Sequence, residues 1–173
     1  MSSLRLLNET IANSVSSVSI KDVFTTDFDV YKFTTYQEGF SGNTSIEGRL
    51  INSSGSIITA SNYDYARHLL KASSSFYEQG VSNNSDFRSF GEADDDGCAS
   101  VSYIFNPMNS STYTFLLSQD VSSNDAYSMK CIAILKQTTK VGGLHFFTDN
   151  GGTMTKFECR VYGLRIDSWW QID

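Results

Sequence analysis

The sequence predicts an all-β fold, arranged as one β-sandwich or jelly-roll domain over residues 1–173. The length of 173 residues suits a single hydrophobic core. Ser, Thr and Asn are abundant, and their side chains compete for backbone hydrogen bonds in a helix, which favours strands and turns. Short segments of alternating apolar and polar residues recur between turn residues, a spacing typical of sandwiches and jelly rolls.

The first clear strand predictions lie in the N-terminal half. Residues 30–36 place Tyr31, Phe33 and Thr35 on one face of a strand. Residues 46–51 alternate in the same way. Such period-two patterns are typical of a strand with one buried face.

Residues 62–71 permit either one short helix or a strand. Ser61 or Asn62 would cap such a helix, and Tyr65 and Leu69 would then line one side of it together with Ala72. The helix is the preferred prediction here, with a strand as the alternative.

Aromatic and aliphatic residues on both sides of Asn106-Pro107 predict a hairpin over residues 103–117. Proline has no backbone donor for a sheet and favours a turn at this point. The alternation consists of Val101, Tyr103 and Phe105 with Ser100 and Ser102 before the turn, and of Tyr113, Phe115 and Leu117 with Thr112, Thr114 and Ser118 after it.

The C-terminal third continues the strand pattern. Residues 127–136 carry apolar groups on both faces near the C-terminal end, including Ile132 and Ile134, which predicts a central strand covered on both sides. Asp149-Asn150-Gly151-Gly152 predicts a hairpin turn, since Asn-Gly favours positive φ. In the last strand, residues 155–161 alternate between the two faces. The residues predicted to point inward are Thr155, Phe157, Cys159 and Val161, and those predicted to point outward are Lys156, Glu158 and Arg160.

Charge and hydropathy exclude several classes of function. The formal net charge is −6 and the isoelectric point is about 4.8, so we expect no nucleic-acid binding, which needs clustered Lys and Arg. We expect no membrane span, because no run of 18 apolar residues occurs. Residues 1–9 carry no recognisable secretory signal.

The sequence contains few candidates for catalysis. A nucleophile needs a neighbouring base, and only His68 and His145 are available. His145 lies within an apolar strand segment, and no catalytic motif surrounds either residue. We therefore predict that the protein is not an enzyme and uses no cofactor. The three cysteines, Cys98, Cys131 and Cys159, are predicted to be reduced and mostly packed, with Cys98 as the one possible exception.

Residues 82–97 form the one long polar stretch and are predicted to be an exposed loop. The loop ends in an acidic cluster, Glu92-Ala93-Asp94-Asp95-Asp96-Gly97. Its oxygens are of the kind that binds Ca²⁺, but the ligand spacing of an EF-hand is missing. A solvated loop without metal is the preferred interpretation.

The most unusual feature is the C-terminal tail, residues 167–173, which contains Trp169 and Trp170. Two large aromatic residues in such a segment have to pack against their own domain or against a neighbouring molecule. The sequence leaves both alternatives open, and the pair is a candidate interface.

Several segments resemble short virion structural proteins of marine tailed phages, particularly cyanophages. The similarity extends over nearly the whole chain, whereas the Trp169-Trp170 tail departs from it. The matching segments are structural in character and contain no catalytic signature; they are residues 17–32, 49–55, 63–66, 103–107, 111–115, 134–138 and 161–168.

The resemblance implies a virion component located at the particle surface and made in the bacterial host cytoplasm. We expect its partners to be phage capsid or tail proteins, and we expect a symmetric homo-oligomer. Capsid decoration, as a knob or cement protein, is favoured because no coiled-coil heptads form a fibre shaft. A tail or adsorption protein that binds host surface glycan is the alternative. A carbohydrate-binding module is a rival from another class, with Tyr63, Tyr65 and Trp169 as conceivable aromatic platforms.

Overall fold

The computed structural model describes residues 4–41, 44–72, 76–93, 96–123 and 127–164, and these form twelve strands in two antiparallel sheets. The all-β prediction is confirmed, and the two sheets pack as a β-sandwich that fits a jelly roll. The strands are β1 (Leu4–Val15), β2 (Ser17–Ile20), β3 (Val30–Phe40), β4 (Thr44–Asn52), β5 (Tyr63–Lys71), β6 (Tyr77–Asn84), β7 (Phe87–Ala93), β8 (Cys98–Phe105), β9 (Thr114–Ser122), β10 (Tyr127–Leu135), β11 (Val141–Thr148) and β12 (Met154–Leu164).

The larger sheet has eight strands in the order β1-β12-β3-β8-β9-β10-β5-β6, and the smaller has four in the order β2-β11-β4-β7. The predicted hairpin over residues 103–117 is confirmed as the β8–β9 pair. In β12, the inward positions of Phe157, Cys159 and Val161 are also confirmed, whereas Thr155 is exposed. No helix in the described segments has the length and hydropathy needed to cross a bilayer.

Aromatic side chains between the sheets form the centre of the core. Phe33 and Phe157 come from the larger sheet, and Phe90 and Phe146 from the smaller. The Phe90 and Phe146 rings meet edge to face with centroids 4.9 Å apart. Gly48 lies beneath this cluster, where a Cβ would stand 2.4 Å from Phe90 Cε2. The close approach of β4 to β7 therefore requires glycine at this position.

The two central strands β8 and β9 bury several serines beside the apolar Ile104 and Leu116, and they point other apolar side chains outward. Ser102 is fully buried and its hydroxyl lies 2.8 Å from the Ser118 hydroxyl. On the other side of the same sheet, Phe115 and Leu117 are each 42% exposed. The inner face of these strands is therefore more polar than usual for the core side of a strand, and the outer face is more apolar.

The helix preferred for residues 62–71 is wrong, because this segment is strand β5. It pairs with β10 on one side and β6 on the other. Tyr63, Tyr65 and Leu69 point into the core at strand spacing. The Tyr63 hydroxyl accepts from the Leu50 amide and donates to the Ile58 carbonyl, each at 3.0 Å. Pairing on both edges and these tertiary contacts outweigh the local capping signal.

The exposed loop predicted for residues 82–97 is also wrong over most of its length. The end of β6 and all of β7 lie within it. Phe87 and Phe90 are buried in the core, which holds the segment against β4 despite its polar composition.

The predicted hairpin at residues 149–152 is a turn between the two sheets instead. β11 ends at Thr148 in the smaller sheet and β12 begins at Met154 in the larger. Asp149 Oδ1 accepts hydrogen bonds from the Thr44 hydroxyl at 2.8 Å and the Ser45 amide at 3.0 Å. Gly151 has the positive φ that was expected, at 73°. The predicted turn is present, but the hydrogen bonds of Asp149 direct the chain to the other sheet.

Candidate interaction surface

The outer face of the eight-stranded sheet carries two adjacent rows of apolar side chains, which we call the apolar band. Strand alternation points these residues away from the core. The first row, read across the strand pairing, is Leu4, Leu164, Val30, Phe105, Phe115, Ile134 and Asp64, and the second is Leu6, Tyr162, Lys32, Tyr103, Leu117, Ile132 and Ala66.

The band runs across seven strands, from β1 to β5, at right angles to them. Six strand spacings of about 4.8 Å make it about 29 Å long, and two rows give a footprint on the order of 400 Å². Ile132, on β10 toward one end of the band, is 51% exposed, and the two rows contain two charged residues, Lys32 on β3 and Asp64 on β5. This footprint equals that of the largest apolar patch on a typical monomer, and such patches are often functional.

Charged side chains border the band on β1 and β12. Arg160 Nε donates to Glu9 Oε1 at 2.7 Å, and its guanidinium lies 3.4 Å from Glu158. Lys156 reaches the other oxygen of Glu158 at 2.7 Å. These pairs lower the pKa of Glu158, chiefly through the hydrogen bond from Lys156. An apolar centre with a charged, solvated border is the anatomy of a protein–protein interface.

An open depression of about 590 Å³ lies at the β5 end of the band. Its floor is low because Ala66 and Gly80 are directly paired and have almost no side chain. His68 lines the depression and stacks on Phe76, with ring centroids 5.7 Å apart and planes at 16°. Lys130 and Glu78 complete a polar wall. The depression can accept a ring-shaped group flanked by hydrogen-bonding partners.

The two histidines lie on different sheets. His68 belongs to β5 of the larger sheet, whereas His145 belongs to β11 of the smaller. His145 Nδ1 lies 2.8 Å from the Ser19 hydroxyl. Burial and then the charge of Arg49 lower the pKa of His145. A catalytic triad instead places a carboxylate beside the histidine to stabilise the imidazolium, so this pair lacks the electrostatics of a serine nucleophile site.

The three cysteines are free thiols and are buried, as predicted. Cys98 is no exception, since its thiol donates to Gln37 Oε1 at 2.9 Å. Burial raises the pKa of Cys98 and raises that of Cys159 to about 12. A reactive cysteine has a lowered pKa and some exposure, so neither thiol has the properties of a nucleophile.

The acidic cluster at residues 92–97 is described only in part. Glu92 and Ala93 belong to β7, while Asp94 and Asp95 lie outside the described residues. Among the residues that are described, no group of three or more His, Cys, Asp or Glu side chains is placed to hold a metal ion.

Of the residues proposed as binding platforms, the two that the structure describes do not lie on the surface. Tyr63 and Tyr65 are buried in the core, which excludes both as exposed platforms for a glycan. Trp169 and Trp170 lie outside the described residues. Sequence reasoning missed the apolar band as a site. The available signal was the presence of apolar residues on both faces of residues 127–136. The prediction that this strand is covered on both sides is wrong within the described residues, since Ile132 on the outer face of β10 is 51% exposed.

No protein-family model and no curated protein matches the chain. Among solved structures, the chain is similar to an exo-inulinase from Aspergillus awamori, with a TM-score of 0.43 and 9% identity over 95% of this chain and 30% of that one. It is also aligned with the infectious bursal disease virus Gt strain structure, with a TM-score of 0.15 and 8% identity over 94% of this chain and 42% of that one. Such values identify neither a family nor an activity.

Proposed function

We propose that the protein is a non-enzymatic virion structural protein of a tailed phage that decorates the capsid surface as a knob or cement protein. The observation that carries an assembly role is the polarity of β8 and β9. These central strands bury Ser100 and Ser102 and present Tyr103, Phe115 and Leu117 outward. The virion context comes from the sequence resemblance.

The burial of serine hydroxyls on β8 and β9 supports a docking role, because burying a polar group costs free energy unless it is hydrogen-bonded. A register shift of one residue would turn Tyr103, Phe115 and Leu117 to the core, although it would also turn Ile104 and Leu116 outward. The chain instead pairs its buried hydroxyls, Thr35 with Ser100 at 2.6 Å and Ser102 with Ser118 at 2.8 Å. The apolar side chains of β8 and β9 thereby remain available for a partner.

The dimensions of the apolar band fit a protein that binds a capsid at many equivalent positions. A footprint on the order of 400 Å² is about half of what each partner buries in a standard interface. Contacts of this size are individually modest, but a symmetric oligomer that binds several lattice points gains strength through avidity. We therefore propose a homo-oligomer whose partner is a capsid protein with an apolar, uncharged ridge.

Counting the copies of this chain in purified particles tests the proposal. Quantitative mass spectrometry against the major capsid protein gives the ratio directly. Tens to hundreds of copies support capsid decoration. A number of about six, twelve or eighteen, as a symmetric tail allows, would move the protein to the tail. Absence from the particle would overturn the virion role altogether.

The depression beside His68 favours a second candidate, a tail-associated adsorption protein that binds host surface glycan. Phe76 is 74% exposed and its stacked pair with His68 lies beside Lys130 and Glu78. Aromatic faces flanked by polar groups are the kind of surface on which a small ligand can be oriented. Phe76→Ala would then abolish adsorption of particles to host cells, whereas a capsid-decorating protein would show no adsorption defect.

A further inference from the structure

We propose that the free edge of β1 pairs antiparallel with β1 of a second copy of this chain, about a two-fold axis at Ile11. β1 is the outermost strand of the larger sheet, and among the described residues only β12 pairs with it. A strand edge without a neighbour presents amide and carbonyl groups that another strand can bind. The pairing supplies the contact of the homo-oligomer proposed above, and it rests on that proposal for its role in a particle.

β1 lacks most of the features that protect an edge strand from such pairing. It has 12 residues, whereas protected edge strands are often short or carry Lys or Pro, and β1 contains neither of these residues. A register shift between Leu6 and Asn8 and the positive φ of Ser14, 53°, lie on either side of a regular segment, residues 8–13. This regular segment is available to a partner strand.

The regular segment is complementary to itself when Ile11 lies on the axis. Glu9, Ile11 and Asn13 are exposed and alternate with less exposed residues, so they share the outer face. In an antiparallel pair about Ile11, this 54% exposed side chain meets its own copy, and Glu9 lies opposite Asn13 of the second copy. Glu9 Oε1 accepts from Arg160, and a carboxylate has a second oxygen that can accept from the Asn13 amide.

The neighbouring registers are less favourable. With Glu9 on the axis, two carboxylates would lie directly opposite each other, which destabilises a strand pair. With Thr10 on the axis, the charged Glu9 would lie opposite the apolar Ile11. The chemistry of the outer face therefore favours the register centred on Ile11.

This pairing leaves both apolar bands on the same side. Directly opposite residues of paired strands point to the same face, so the two-fold axis is perpendicular to the joined sheet. Leu4 and Leu6, the members of the band on β1, lie outside the paired segment. Two bands of about 400 Å² each offer about 800 Å² to one surface, which is what a partner buries in a standard interface. The dimer can therefore bind one surface at two points.

Disulfide cross-linking of the purified full-length chain tests the register. Ile11→Cys places two thiols directly opposite each other, with Cα atoms about 4.5–5.5 Å apart, a distance that a disulfide can span. Asn13→Cys is the matched control, because it lies exposed on the same face but about 14 Å along the strand from its own copy. The native thiols are buried, so the wild type serves as the blank. We expect mild oxidation to link Ile11→Cys and not Asn13→Cys. Equal linking of the two variants, or none in either, would overturn the proposal.

Sedimentation equilibrium tests the association itself. We expect the wild type to form a dimer as its concentration rises. Ile11→Lys brings two like charges together on the axis and should raise the dissociation constant at least about tenfold, with circular dichroism confirming the fold. A wild type that stays monomeric at its highest soluble concentration would overturn the pairing. Growth beyond a dimer would also overturn it, since a head-to-tail contact between β1 and β6 forms open chains.

The proposed function and this pairing can fail separately. A chain that is linked through Ile11→Cys but is absent from purified particles would support the pairing and overturn the virion role. A chain that is abundant in particles but is not linked through Ile11→Cys would overturn the pairing alone.

Discussion

The Ser102 hydroxyl donates a hydrogen bond to the Ser118 hydroxyl at 2.8 Å inside the sandwich, while the next paired residues, Tyr103 and Leu117, lie together on the outside. The two pairs are one residue apart on the same two strands. Satisfying polar groups inside and leaving apolar groups outside is the opposite of what burial alone favours. This relationship makes the outer sheet face the leading candidate for a binding surface.

A charge on the apolar band is expected to weaken assembly without unfolding the chain. Ile132→Asp should lower particle binding at least about tenfold, because a charge would be desolvated in the contact. The free energy of unfolding should change by less than about 1 kcal/mol, since Ile132 is half exposed. Val121→Asp is the control, and copy number per particle is the measurement. Equal occupancy of both variants would contradict the band as an assembly surface.

The buried hydroxyls of Thr35 and Ser100 are expected to be energetically coupled, so the stability losses of the two single variants should not add in the double variant. Ser100→Ala should cost about 1–3 kcal/mol of stability, because the buried Thr35 hydroxyl loses its partner at 2.6 Å. Adding Thr35→Val should then cost little more, since both polar groups are gone. Urea unfolding of the wild type, both single variants and the double variant gives the coupling energy. Strictly additive losses would mean that the two hydroxyls do not depend on each other.

Gly48→Ala is expected to destabilise the protein by about 1–3 kcal/mol through overpacking. The new methyl group would stand 2.4 Å from Phe90 Cε2 and 3.0 Å from the Phe87 ring, in the centre of the core. Gly80→Ala is the matched control, because nothing lies within 4 Å of the Cβ position there. The melting temperatures of both variants, measured by thermal unfolding, test this prediction. Similar melting temperatures would show that the core can accommodate the methyl group.

The stability of the protein is expected to fall as the pH decreases below the ordinary pKa of histidine, in part because of His145. Burial and the neighbouring Arg49 lower the His145 pKa below 6.5 in the folded chain. Below pH 6.5 the unfolded chain therefore binds a proton that the folded chain does not, so the free energy of unfolding decreases until the folded pKa is passed. His145→Asn should remove this contribution.

Urea unfolding at about pH 7.5 and about pH 5.5 measures this difference in wild type and variant. Glu47 has a raised pKa, caused first by burial and then by Asp86, and it acts in the opposite direction at more acidic pH. Since Glu47 is present in both proteins, its contribution cancels in the comparison. Parallel pH profiles would contradict the shift assigned to His145.

The sequence by itself determined the strands wherever alternation coincided with a local turn. β3, the β8–β9 hairpin, β10 and much of β12 follow from period-two patterns and from Asn106-Pro107. These features depend on neighbours along the chain, so a local pattern is sufficient. The buried thiols could be predicted for a similar reason, because cysteine behaves as a small apolar residue in a core.

Only the tertiary structure decided which side of each strand faces the core and which strands share a sheet. Residues 63–71 became β5 because β10 and β6 pair with both edges. Asp149 directs the chain to the other sheet through its hydrogen bonds near Thr44 and Ser45. Leu117 points outward because the next residue, Ser118, points inward, where its hydroxyl forms a hydrogen bond with that of the buried Ser102. These choices rest on contacts between residues distant in sequence, which alternation along one strand does not specify.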